Sequence, residues 1–114
     1  MKEIAVRELN ISPKKIFFSE HHFSHSSSAF YPSGFKEAAT LTLDGVGEWV
    51  TSQGGSQTNA SFDKKWSVNF PHSLGLLYSS FAEFLGFEVN EGEFKVMGMA
   101  PYGSPKYIDK IEKL

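Results

Sequence analysis

Cysteine is absent from the 114 residues, which removes disulfides, thiolate metal sites and a cysteine nucleophile. Any metal must then be held by imidazole and oxygen. A basic excess is absent too: 11 Lys and Arg stand against 13 Asp and Glu, for a net charge of -2. Such a balance offers no broad positive surface to a nucleic-acid backbone. No stretch is apolar for long enough to span a bilayer, and Met1-Lys2-Glu3-Ile4-Ala5-Val6-Arg7 puts charges where a signal peptide needs an unbroken apolar core. The expectation is a cytoplasmic protein with neither a nucleic-acid nor a membrane partner. Internal repeats and low-complexity tracts are also lacking.

What is present is aromatic and apolar enough for one core: 40% of the residues are hydrophobic and 11 are Phe, and the length suits a single unit. Ile16-Phe17-Phe18 after Pro13 predicts a strand over 15–19 that delivers the chain to Glu20-His21-His22. Residues 21–31 are mostly small or aromatic, with a stop at Pro32-Ser33-Gly34, and predict a short helix. Thr and Leu alternate over 38–43 and the same character resumes over 49–53, which predicts a hairpin turning at Asp44-Gly45-Val46-Gly47-Glu48. Gly54 to Asn59 reads as a further loop, and 61–70 as the strand that completes an antiparallel meander before Pro71. Leu74, Leu77, Tyr78, Phe81, Phe84 and Leu85 share one broad helical face over 73–85, with Ser73 as N-cap and Gly86 as stop. A shorter helix is expected over 92–100, and another beginning at Tyr107.

His21 and His25 are four apart, so on a helix their imidazoles share one face, the spacing by which two ligands reach one ion. Iron, zinc, copper and nickel all suit neutral imidazole, and a carboxylate is the missing partner. Capping or core histidines give the same spacing. Asp44 ends a strand, and Gly45 and Gly47 beside it let backbone N–H groups approach an anion; Asp-Gly is equally a common hairpin turn. Glu93 and Lys95, two apart, do not face each other on a helix and read as solvated surface. Tyr102 sits among Gly98, Pro101 and Gly103, in a loop that either approaches a ligand or is only a loop. His72, just ahead of a helix N-terminus, reads as a loop histidine before a phosphate ligand.

Four ordered blocks resemble the O-carbamoyltransferases, a family that includes nodulation protein U and the tobramycin and cephalosporin carbamoyltransferases. They are His21-His22-Phe23-Ser24-His25 with its run to Ser33, Leu41-Thr42-Leu43-Asp44-Gly45-Val46-Gly47-Glu48-Trp49, Phe70-Pro71-His72-Ser73-Leu74-Gly75-Leu76-Leu77-Tyr78, and Gly92-Glu93-Phe94-Lys95-Val96-Met97-Gly98-Met99-Ala100-Pro101-Tyr102-Gly103. Phe94 and Met99 stand where family members commonly have Tyr and Leu.

The resemblance implies an α/β fold, part of an actin-like ATPase (ribonuclease H-like) domain with an antiparallel meander flanked by helices. Residues 1–114 would be one fragment at the junction of that domain's two halves, lacking a nucleotide-binding segment, a further ligand aspartate and a C-terminal adenylate-forming domain. It further implies that His21, His25 and Asp44 bind Fe2+ or another divalent metal. Gly45 and Gly47 would line a phosphate or nucleotide, and Asp44 would also orient or deprotonate the acceptor. The implied reaction uses ATP and carbamoyl phosphate to form carbamoyl adenylate and carbamoylates a hydroxyl of a sugar or antibiotic-like small molecule, with the fragment alone inactive. A metal-dependent hydrolase using the same three residues, and a non-catalytic interaction module that pairs its apolar faces with a second copy as a homodimer, are the alternatives.

Overall fold

The computed structural model describes residues 2–113. Its elements are α1 (Lys2–Leu9), α2 (His21–Ser33), β1 (Glu37–Gly47), β2 (Val50–Thr58), β3 (Phe62–Asn69), α3 (Leu74–Phe84), α4 (Glu93–Met99) and α5 (Ile108–Ile111), with 3-10 turns at Pro13–Lys15 and Ala100–Tyr102. The strands form one three-stranded sheet in the order β1-β2-β3. This is the expected α/β class, an antiparallel meander flanked by helices. Two compact units divide the chain: residues up to Thr42 with Gln53–Trp66, and Leu43–Ser52 with residues from Ser67 onward. No helix among the described residues is long and apolar enough to cross a membrane.

In the first unit, α2 forms although serine is a middling helix former. Its serines return their hydroxyls to carbonyls one turn back: Ser24 to Glu20 at 3.1 Å, Ser26 to Phe23 at 3.1 Å and Ser28 to His25 at 2.8 Å. Such bonds satisfy the hydroxyl without leaving the helix. Pro32 falls in the last turn and Gly34 closes the helix in the left-handed region at φ 78, as a C-terminal glycine does without steric cost. Buried residues recur at His22, Ser26 and Phe30, one every fourth position and hence one face.

The second unit carries α3, which has the expected cap: Ser73 Oγ accepts from Leu76 N at 3.0 Å. Gly86 follows at φ 86.

Several expectations are corrected. Residues 15–19 form no strand; Pro13–Lys15 is a 3-10 turn and Ile16 is extended, but no partner among the described strands completes a ladder, and Phe17 and Phe18 stand exposed. Apolar content makes a strand only where another strand supplies its hydrogen bonds. Asp44, Gly45, Val46 and Gly47 are strand, not turn, and the hairpin reverses over Glu48 and Trp49, with Glu48 at φ 63. Gly54 to Thr58 also belong to β2 rather than to a loop. Their glycines make room, not flexibility: a Cβ on Gly54 would lie 2.5 Å from Trp66 Cε2, and one on Gly55 2.5 Å from the Asp63 carbonyl. The charged start of the chain is a helix, α1, and the helix expected over 107–114 is only Ile108–Ile111, with turn at 112 and 113; Leu114 lies outside the described residues.

The middle strand β2 is buried but polar, with Thr51, Ser52, Gln53 and Gln57 all enclosed. Phe30 and Ala82 are the buried apolar side chains among the described residues.

Candidate metal centre

Two of the three expected ligands come from α2 alone. His21 Nε2 and His25 Nε2 are 2.9 Å apart, with ring centroids 4.5 Å apart in an edge-on arrangement. One imidazole N–H donates to the other's lone pair at that distance; to hold an ion both Nε2 atoms must present lone pairs, which the donor ring achieves by carrying its proton on Nδ1 instead. His21 is half-buried and His25 exposed. His22, between them in sequence, points to the buried face and meets Thr42 Oγ1 at 2.8 Å.

Asp44 stands on β1, where Gly45 N donates to its Oδ1 at 2.7 Å. The start of α3 is fastened to its backbone: Ser73 Oγ lies 2.7 Å from the Gly45 carbonyl and 3.1 Å from the Asp44 carbonyl, sharing one proton between two acceptors. Gly75 comes so close that a Cβ there would stand 2.5 Å from the Asp44 carbonyl oxygen. Ser73 is legible in sequence as a cap; that it also anchors the aspartate's strand is not, because the two are separated by the whole meander.

His21 and His25 belong to the first unit and Asp44 to the second. Two imidazoles and one carboxylate are a donor set that suits divalent iron or zinc and leaves coordination positions open for small ligands. The residues therefore fit the expected metal.

Gly45 and Gly47, expected to expose N–H groups in a turn, lie in β1, and the N–H of Gly45 is directed at its neighbour's carboxylate. Glu93 is more engaged than a solvated surface residue. Its Oε1 accepts from Ser79 Oγ at 2.7 Å and from Asn90 N at 3.0 Å. The Asn90 N–H first, and then the Ser79 hydroxyl, hold its carboxyl below the ordinary value of 4.5. A depressed pKa stabilises the fold above the ordinary value, and that contribution disappears as pH falls through the lower folded value. Urea midpoints of wild type and Glu93→Gln are thus expected to differ by a constant amount above about pH 5 and to converge as pH falls below the ordinary value and through the lower folded one; a gap that persists in acid would show that Glu93 acts through packing alone. Both Glu93 and Asp44 line a groove of about 700 Å3 in the second unit, together with Tyr78, Ser79 and Asn90 and without a Lys or Arg.

His72 behaves as the loop residue expected, its N–H donating to Asn69 and its carbonyl accepting from Thr51 Oγ1. Tyr102 is 92% exposed.

The family model described as carbamoyltransferase N-terminus matches residues 2–114. The chain belongs to the carbamoyltransferase N-terminal family. Among curated relatives, the chain is 56% identical over 96 residues to the uncharacterized protein sll1178 of Synechocystis, covering 84% of the chain and 16% of the relative. It is 41% identical to nodulation protein NolNO of Sinorhizobium fredii, over 83% of the chain and 14% of that protein. To nodulation protein NolO of Bradyrhizobium diazoefficiens it is 38% identical, over 75% and 15%. The chain thus spans about a sixth or less of the length of these relatives.

Proposed function

We propose that this segment supplies the metal centre of a carbamoyltransferase that transfers a carbamoyl group to a hydroxyl of a small sugar-like acceptor. The family match over residues 2–114 carries the reading, and the two-histidine, one-aspartate donor set supports it. In this reading His21, His25 and Asp44 hold Fe2+ or another divalent ion, whose chemistry is Lewis-acid polarisation of the carbamoyl oxygen. The carbamoyl group of carbamoyl phosphate is passed to the α-phosphate of ATP with uptake of one water, releasing phosphate and pyrophosphate. The acceptor hydroxyl then attacks the carbamoyl carbon, its proton is lost, and AMP leaves.

Asp44 has two roles here, as a ligand and as the carboxylate that orients the acceptor hydroxyl or takes its proton. The backbone at Gly45 and Gly47 carries no side chain to block an approaching phosphate oxygen. The groove that Asp44 and Gly45 line has carboxylates as its charged residues, which attract the hydroxyl donors of the acceptor.

The test uses the full polypeptide. Pyrophosphate release that requires both carbamoyl phosphate and ATP is expected, and none from protein with its metal in place would sink the carbamoyl reading. Ester hydrolysis persisting without ATP would instead favour a metal-dependent hydrolase built on the same donors.

A further inference from the structure

The face that α2 buries is largely polar, since His22, Ser26 and Phe30 are the residues enclosed. Phe30 is the buried apolar residue of that face, and Phe23 meets Phe62 with ring centroids 5.7 Å apart; apolar burial is non-directional, so this packing alone does not single out one rotation of the helix about its axis. That rotation matters. Successive helix residues are about 100° apart, so a slip by one position would carry His21 and His25 away and bring His22 and Ser26 into their direction.

Two side-chain hydrogen bonds oppose the slip. His22 Nδ1 lies 2.8 Å from Thr42 Oγ1 in a buried contact, and Gln57 Nε2 donates to Ser27 Oγ at 3.3 Å. The first is the shorter and the more enclosed, with His22 2% and Thr42 8% exposed. Thr42 is itself held, because its hydroxyl donates to the Gln53 carbonyl on the neighbouring strand at 3.4 Å. A buried polar contact costs free energy when any other orientation leaves its groups unpaired, which is how such contacts select one arrangement among several.

We infer that Thr42 is a positioning residue for the metal centre: through His22 its hydroxyl fixes the rotation of α2 and so the direction of His21 and His25. The inference rests on the reading of His21 and His25 as metal ligands. Thr42 touches neither the ion nor a substrate in this account.

Titration of the metal-free full polypeptide with Co2+, followed by the visible absorption of the bound ion, tests it. Thr42→Val keeps the shape and removes the hydroxyl; it is expected to weaken Co2+ binding by about 10- to 100-fold, the range typical of lost outer-shell partners, and to change the band positions. Thr42→Ser restores the hydroxyl and is expected to return both affinity and spectrum to those of wild type. Thr42→Ala carries the same expectation as Thr42→Val and serves if the valine variant folds poorly. A purely structural role would lower thermal stability in all variants without moving the spectrum of the metal-bound form. Wild-type affinity and spectrum in Thr42→Val, with binding abolished by His21→Ala, would overturn the inference and leave the metal reading intact. Unchanged binding in His21→Ala would overturn both.

Discussion

Replacing His21 and His25 together by alanine is expected to strip the metal from the full protein and to lower carbamoyl transfer by about a thousandfold. The magnitude follows from the several kcal/mol that Lewis-acid stabilisation contributes to a transition state; about 4 kcal/mol corresponds to roughly 10³ in rate. The two Nε2 atoms are 2.9 Å apart on one face of α2, so both leave the same ion. A carboxylate alone is a weak anchor for a transition metal at neutral pH, and Asp44 does not compensate. Asp44→Asn is expected to have a milder effect on metal content, since both imidazoles remain, and an equal effect on transfer, since the proposed function gives its carboxylate the acceptor hydroxyl to handle as well. Metal analysis beside pyrophosphate and transfer assays separates these outcomes. A double histidine variant that purifies with its full complement of metal would remove His21 and His25 from the site.

The second large effect is expected at Gly75. A Cβ there meets the Asp44 carbonyl oxygen at 2.5 Å, the Asp44 carbonyl carbon at 2.7 Å and Gly45 N at 2.7 Å. All three are backbone atoms, so no side chain can step aside. Gly75→Val must push the first turn of α3 away from β1, breaking the Ser73 hydroxyl bonds to the Asp44 and Gly45 carbonyls, or bend the strand that presents Asp44. Overpacking of this kind costs about 1–3 kcal/mol and more where backbone meets backbone. We expect about 3 kcal/mol or more in denaturant titration, together with weakened metal binding because Asp44 is displaced. Gly98 supplies the contrast. It lies within α4 and a Cβ would meet nothing within 4 Å, so Gly98→Ala is expected to be neutral or stabilising by up to about 1 kcal/mol. Comparable losses at both positions would mean that the close approach at Gly75 has no energetic consequence.

Helices α2, α3 and α4 and the ligand spacing were readable because they are local. The Ser73 cap, the apolar face of α3 and the i, i+4 placement of His21 and His25 each follow from a 3.6-residue period over a few turns, and the structure has all three. The three strands of the meander were readable in order but not in extent. Asp44-Gly45 and Gly54-Gly55 look like turns because glycine is common in turns; in the structure they are the interior of β1 and β2. Gly54 and Gly55 each answer to a neighbour on β3, Trp66 over Gly54 and the Asp63 backbone beside Gly55, and no local pattern carries that information. Residues 15–19 fail in the opposite way, having the composition of a strand without a partner.

By itself, then, the sequence determined the chemistry available to the proposed metal centre: two imidazoles on one helical face, an aspartate at the end of a β-forming stretch, and no thiolate to compete with them. The resemblance of its four blocks pointed to carbamoyltransferases, and the family match agrees. Only the tertiary structure decided which way those groups face. The burial of a polar middle strand, the contact of His22 with Thr42 and the fastening of Asp44 by Ser73 and Gly75 are pairings across the sheet or across the meander. The reason is physical: periodicity fixes directions within an element, whereas the rotation of a helix or the register of a strand is set by what lies against it.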